Sequence, residues 1–303
     1  MNGFISDLKY TWNKPGSGLL RLIIINVIIY VVMSILLLAF KFSDHPEIFK
    51  YYIYDNLSLA SNFNEFVFTP WTLVTYFFVH SMEGFFHILM NMLVLYWFGM
   101  IFTEFLGDKK AVILYILGGL SGGIFYLLIY NLVPYYQGAN VQLVGASASV
   151  FAIVVGAATI APDYRINLLF IGPVKIKWLA AVYIFLSLIG ITGSNAGGEL
   201  AHLGGVIMGF AYVKMLQKGT DLGKPFYAIE NFFDNLLSPK KNLKVVYRRD
   251  KKSKSKTKAG KENTDQPTQS RVDEILDKIS DKGYEGLTQE EKQILFKASQ
   301  RKH

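Results

Sequence analysis

Four polar side chains stand in runs of sequence that are otherwise apolar: His87, Asn91, Ser147 and His202. A serine hydroxyl is a weak nucleophile until a base takes its proton. Histidine is the side chain whose proton affinity best suits that task near neutral pH. The tetrahedral oxyanion formed by such an attack needs preorganised donors. The Ser147 backbone N–H, His87 and the Asn91 amide could supply them, and His87 and Asn91 share a helical face because they are spaced i,i+4. Together these groups could perform acyl hydrolysis, with Ser147 as nucleophile and His202 as base. No Asp or Glu is placed as a third member. Glu199 lies one turn before His202 and is expected to face a loop, so a two-residue pair is the economical arrangement. Packing is the bland alternative. Val144-Gly145-Ala146-Ser147-Ala148-Ser149 is a small-residue stretch, and such stretches let membrane helices approach closely.

Chemistry requires that the elements carrying these residues meet. The chain has 303 residues, and Asp, Glu, Lys and Arg make up 18% of them. Soluble domains carry about 25%, and here most of the charge falls after Gln217. There are no cysteines. Disulfides, thiolate nucleophiles and cysteine-ligated metals are thereby excluded, and no metal or cofactor is implied. The first apolar run, 19–40, has about spanning length with no small-residue cleavage site behind it, so a cleaved signal peptide is not expected.

Six apolar runs follow a short polar segment, 1–18. They cover 19–40, 85–105, 111–133, 143–161, 178–192 and 200–216. Between the first two lies a long aromatic connection, 41–86. Aromatic residues favour the membrane–water boundary, so this stretch reads as a partly helical interfacial loop. Asn26 and Ser34, inside the first run, read as packing residues. The expected fold is therefore an all-α polytopic membrane protein with six transmembrane helices. Six spans put both termini on one side. The loops after spans two and four carry Lys109, Lys110, Arg165, Lys175 and Lys177, whereas those after spans one, three and five carry only Lys41 and Lys50. The positive-inside rule then makes both termini cytoplasmic.

That orientation brings the four polar residues to one depth. Spans two, four and six all enter from outside. At 1.5 Å per residue, His87, Asn91, Ser147 and His202 fall roughly 3–9 Å below the outer boundary. Water can reach that layer. A second serine motif, Gly119-Leu120-Ser121-Gly122, sits roughly 15 Å from either boundary and reads as a packing seam. Ser149 points away from Ser147. His80 precedes its span as a loop or interfacial residue, and His45 and His303 are expected in solvent.

The tail divides into three pieces. Residues 218–239 carry Phe226, Ile229, Phe233, Leu236 and Leu237 on one helical face and read as an interfacial amphipathic helix, or equally as an amphipathic helix packed on its neighbours. Residues 240–268 hold a basic block, with eleven Lys or Arg between 240 and 261. Such a block reads as a disordered linker drawn to anionic headgroups. Nucleic acid is not an expected partner, because Tyr247 alone among the block's residues is aromatic and bases would lack a series of rings to stack on. Residues 269–303 read as a small helical hairpin, with an apolar stripe of Val272, Ile275, Leu276 and Ile279 and a capping box, Thr288-Gln289-Glu290-Glu291.

At these residues the chain resembles the rhomboid family of intramembrane serine proteases. Three motifs carry the resemblance: His-x-x-x-Asn at His87 and Asn91, Gly-x-Ser at Gly145-Ala146-Ser147, and a glycine-spaced Ala-His at Gly197, Ala201, His202, Gly205 and Gly209. All three fall in order on the appropriate spans, over about 19–217. The resemblance implies a six-helix membrane domain with a Ser147–His202 dyad that cleaves transmembrane substrates near their outer end. It makes His87 and Asn91 oxyanion donors and sets Gly145 beside the nucleophile. It puts Phe151 where an aromatic residue packs on the catalytic histidine. The chain departs from the family pattern at Ala148, where Gly is frequent, and at Trp71-Thr72, where Trp-Arg is frequent. The stretch from His80 to His87 is also longer than usual.

The expected function is intramembrane endopeptidase, with transmembrane proteins as substrates and a bacterial inner membrane as location. A catalytically inactive relative that binds transmembrane helices as a scaffold or chaperone is the alternative. A small-solute transporter fits less well, because no internal repeat is visible.

Overall fold

The computed structural model of the chain describes residues 2–82, 84–169, 171–193, 195–237, 269–282 and 286–299. They fall into two compact units, Met1–Lys241 and Asn242–His303. The basic block of 240–268 and His303 lie outside the described residues.

The first unit begins with α1 (Asn2–Asn13) and α2 (Gly18–Phe42). A structured connection follows, comprising α3 (Pro46–Ile48), a π-helical turn (Phe49–Tyr54), β1 (Leu59–Ala60), α4 (Phe63–Phe68) and α5 (Thr72–Thr75). Next come α6 (Phe85–Leu106), α7 (Asp108–Leu132), a 3-10 turn (Pro134–Tyr136) and β2 (Gln142–Leu143). Then follow α8 (Ser147–Ile160), the β3–β4 hairpin (Arg165–Leu168 and Gly172–Lys175), α9 (Ile176–Gly190), α10 (Ala196–Gln217) and α11 (Lys224–Leu237).

The described residues are mostly helical, and three helices are long and apolar enough to cross a membrane: α2, α6 and α7. Helix α2 exposes Ile28, Val31, Val32, Ile35 and Leu38. An apolar stripe of this kind suits lipid and would not suit water. The N-terminus of α2 is capped from far along the chain. Asp108 accepts from the Gly18 N–H at 2.6 Å and from the Leu19 N–H at 2.9 Å. Deeper in the same helix, buried Asn26 donates to the Tyr115 hydroxyl, which donates to the Phe77 carbonyl. Asn26 thus has the packing role its sequence setting suggested.

The core sits where α7, α8 and α10 meet. Helix α8 is buried on every face from Ala148 to Ala157, which is the pattern of a helix surrounded by other helices. Close approach is possible because glycines face it. A side chain at Gly122 would meet the Ala148 methyl at 2.5 Å, and one at Gly205 would run into the Ala148 carbonyl. The room left by Gly122 accommodates the alanine that follows Ser147.

Helix α8 starts later than the apolar run does. The run suggested helix from 143, but Gln142–Leu143 pairs with Leu59–Ala60 as an antiparallel two-stranded ladder. Gly145 then takes φ +125°, and helix begins only at Ser147. Fourteen residues rise about 21 Å, short of the roughly 30 Å hydrocarbon core. Such a start is tolerable because the protein surrounds it; irregular backbone at membrane depth survives where it is buried or lines a cavity. Hydrophobicity alone does not reveal it, since Leu143 and Val144 are as apolar as the helix.

Two other elements differ from expectation. The polar segment 1–18 contains α1, and the charged connection after α8 contains the β3–β4 hairpin. Lys175 and Lys177 both pair with Asp163 at the base of that hairpin, at 2.9 Å each. These contacts hold the Asp163 carboxyl down to about 2. In α11, Phe226 packs on the core while Ile229 is exposed, so the apolar face anticipated there is divided.

The second unit is a helical pair, α12 (Gln269–Lys282) and α13 (Gln289–Ser299). The capping box is formed: the Thr288 N–H donates to Glu291 Oε2 at 2.8 Å and the Glu291 N–H to Thr288 Oγ1 at 3.3 Å. Lys278 of α12 clamps the same carboxylate at 2.9 Å.

Candidate active site

Ser147 is the first residue of α8. Its backbone N–H is among those that have no acceptor within the helix, and the helix dipole adds positive potential there. Gly145 delivers the chain to this point. Its N–H donates to the Tyr76 carbonyl at 2.9 Å, and its φ of +125° lies where only glycine is at ease. A side chain at Gly145 would meet the His87 ring at 3.2 Å. The glycine thus serves both backbone shape and the approach of His87.

Helix α10 supplies His202, whose Nε2 lies 2.7 Å from Ser147 Oγ. His202 is 9% exposed. Phe151, one turn along α8 from Ser147, stacks on the ring at a centroid distance of 4.3 Å, and Tyr183 of α9 stacks on Phe151 at 4.1 Å. Two aromatic layers therefore restrict the ring's tilt.

From α6, His87 and Asn91 face the same space. The Asn91 amide donates one proton to the His87 carbonyl at 2.8 Å, which leaves its second N–H for other use. A cavity of about 390 Å³ is lined by His87, Asn91, Ser147 and His202 together with Phe86, Met90, Val144, Tyr183, Asn195 and Gly198. Four of these, His87, Val144, Asn195 and Gly198, also line an adjoining cavity of about 770 Å³ that includes Tyr54, Ser81, Tyr130, Tyr136 and Gln142. The polar lining of the second cavity suits water, the co-substrate of hydrolysis.

The structure thus brings together all six residues singled out by sequence: Ser147, His202, His87, Asn91, Gly145 and Phe151. The other polar residues lie elsewhere. Ser121 Oγ donates to the Gly204 carbonyl at 2.9 Å, across the α7–α10 seam. Ser149 is fully buried. His80 is fully buried behind His87, ring edge to face at 5.6 Å. His45 is exposed and pairs with Glu47.

Glu199 departs from expectation. Its carboxylate turns inward instead of facing a loop, with Oε2 3.0 Å from His202 Nδ1 and 2.6 Å from Ser187 Oγ of α9. The signal was legible: residues three apart lie on one helical face, and the first turn of a helix favours an acid. Ser187 and Tyr183 were missed because nothing in their own helix distinguishes them. Only the packing of α9 on α8 and α10 brings them in.

A partly buried serine–histidine pair at a helix N-terminus thus sits in a mostly helical protein with membrane-length apolar helices. A family model described as the Rhomboid domain matches residues 68–219, and the chain belongs to the rhomboid family. A second model, a family of unknown function designated DUF6576, matches 263–301. The chain is 33% identical over 160 residues to RHOMBOID-like protein 12, mitochondrial, of Arabidopsis thaliana. That similarity covers 49% of this chain and 47% of the relative, so the chain spans about half the length of the curated relative it matches.

Proposed function

We propose that the protein is an intramembrane serine endopeptidase in which Ser147 is the nucleophile and His202 the general base. The observation that carries this reading is the 2.7 Å contact from Ser147 Oγ to His202 Nε2, made in a cavity that His87 and Asn91 also line. Ser147 Oγ attacks the carbonyl carbon of the scissile peptide and its proton passes to His202 Nε2. The oxyanion is met by the Ser147 N–H, the second Asn91 N–H and His87. The C–N bond then breaks, and His202 returns the proton to the leaving amine. Water attacks the acyl-enzyme in turn, giving its proton to His202, which passes it to Ser147 Oγ as the ester bond breaks; the carboxylic acid released ionises and the Ser147 hydroxyl is restored.

The membrane arrangement belongs to the same proposal. Helices α2, α6, α7, α8, α9 and α10 form the six-helix bundle, with 41–84 on the outer side and both termini cytoplasmic. The lysines and arginines of the loops after α6 and α8 support this orientation. Substrates are transmembrane proteins cleaved near the outer face of the bilayer, and they reach the site from lipid. The basic segment of the tail lies against anionic headgroups, α11 lies at the interface, and no nucleic acid, metal or cofactor takes part. The relative offers no support for a bacterial inner membrane, since its name makes it mitochondrial; loop charge requires only an anionic leaflet on the inner side.

The test is covalent labelling by a rhodamine-linked fluorophosphonate in detergent. Wild type is expected to label, and Ser147→Ala and His202→Ala to lose labelling by at least about a hundredfold. Equal labelling of all three proteins would mean an inactive, helix-binding relative and would sink the protease reading.

A further inference from the structure

The carboxylate beside His202 occupies a built position. Glu199 Oε2 lies 3.0 Å from His202 Nδ1. Ser187 of α9, 4% exposed, donates to that same oxygen at 2.6 Å and stands 3.1 Å from Nδ1. Space for the carboxylate comes from Gly190, one turn further along α9, where any side chain would meet Glu199 Cδ at 2.9 Å. Two residues from two helices, Glu199 of α10 and Ser187 of α9, thus converge on the nitrogen of His202 that faces away from Ser147.

A base must present a lone pair to Ser147 through Nε2, which requires the ring proton to sit on Nδ1. Which nitrogen holds the proton is decided by what the other nitrogen meets. Ser187 has a single hydroxyl proton, and it is committed to the carboxylate. Toward Nδ1 the serine oxygen and the carboxylate are therefore both acceptors, and an Nδ1–H is the state that satisfies them. The negative charge also faces the imidazolium that forms when Ser147 gives up its proton. The other ionisable groups near the ring are His87 of α6 and Tyr183 of α9, and neither reaches Nδ1 among the described contacts.

We infer that Glu199, clamped by Ser187, is a positioning residue that fixes the reactive tautomer of His202, so that this chain works as a Ser147–His202–Glu199 triad rather than a two-residue pair. This rests on the protease reading for its rate consequences but not for its structural content. Glu199→Gln keeps the volume and removes the charge. Its amide can donate as well as accept, so the tautomer is no longer fixed. The maximal labelling rate, kinact, toward the fluorophosphonate is expected to fall by about a hundredfold, with KI within about twofold of wild type. Glu199→Asp, which keeps the charge on a shorter stem, is expected to recover part of kinact. A merely structural role would instead follow thermal stability and would not be rescued by charge.

The tautomer is read directly from 15N-imidazole NMR of the full-length protein in micelles, with the His202 signal assigned through His202→Ala. An Nδ1–H form in wild type is expected. An Nε2–H form in wild type, or a Glu199→Gln variant with wild-type kinact, overturns the inference. Should wild type label no better than Ser147→Ala, the protease reading fails by itself. The tautomer of wild type compared with Glu199→Leu then still decides the role of Glu199.

Discussion

Gly145 shows how one residue governs both backbone and chemistry. Its φ of +125° turns the chain from β2 into α8, and its missing side chain admits His87. Alanine there would pay about 1–3 kcal/mol of backbone strain and push the His87 ring away. Gly145→Ala is expected to lower the fluorophosphonate labelling rate by at least about tenfold, beyond its effect on thermal unfolding. An unchanged rate at a lowered Tm would show that His87 is not held by this contact. At this scale much was legible beforehand. His87, Asn91, Ser147 and His202 declared themselves as polar groups in apolar runs, at one depth. Glu199 shares a helical face with His202 by its i,i+3 spacing, but its neighbour across the bundle, Ser187 of α9, is brought in only by packing.

At the scale of elements, two helices carry the arrangement. Helix α8 is central, short and buried on all sides, so its N-terminus opens inside the protein instead of at a membrane surface. Helix α2 is peripheral and lipid-facing, tied to the turn before α7 by the two bonds from its first N–H groups to Asp108. An N-terminal cap contributes about 0.5–2 kcal/mol. Asp108→Ala is therefore expected to lower Tm in detergent while leaving the site, at the other end of the bundle, able to label. Loss of labelling at temperatures well below Tm would contradict that separation. The apolar runs announced these helices, but they could not announce that the first residue of the fourth run, Leu143, pairs with Leu59. A leucine serves strand and helix alike, and a partner more than eighty positions away made the choice.

At the scale of the whole molecule, the chain combines a rhomboid-family membrane unit with a separate helical pair in the tail. Glu291 organises that pair, accepting from Lys278 and from the Thr288 N–H. These contacts hold its carboxyl down to about 2, well below its ordinary value. A depressed carboxylate contributes stability that is complete above its unfolded value and lost as pH falls toward the folded one. Backbone shifts of α12 and α13 in the full-length chain are therefore expected to stay helical at neutral pH and to move toward coil as acid protonates Glu291. Glu291→Gln is expected to show weakened helices already at neutral pH. Helicity in that variant equal to wild type would remove Glu291 from this role.

The sequence by itself determined the class of protein. Apolar length, loop charge and three spaced motifs depend only on local chemistry and on the bilayer as a solvent, and these led to the family and to the serine–histidine pair. Tertiary structure alone decided where helix α8 begins, that the Ala148 methyl fits against Gly122, and that Ser187 of α9 clamps Glu199 beside His202. Each of those outcomes is set by contact between segments distant in the chain, at separations of a few ångströms, and hydrophobic pattern has no access to that distance.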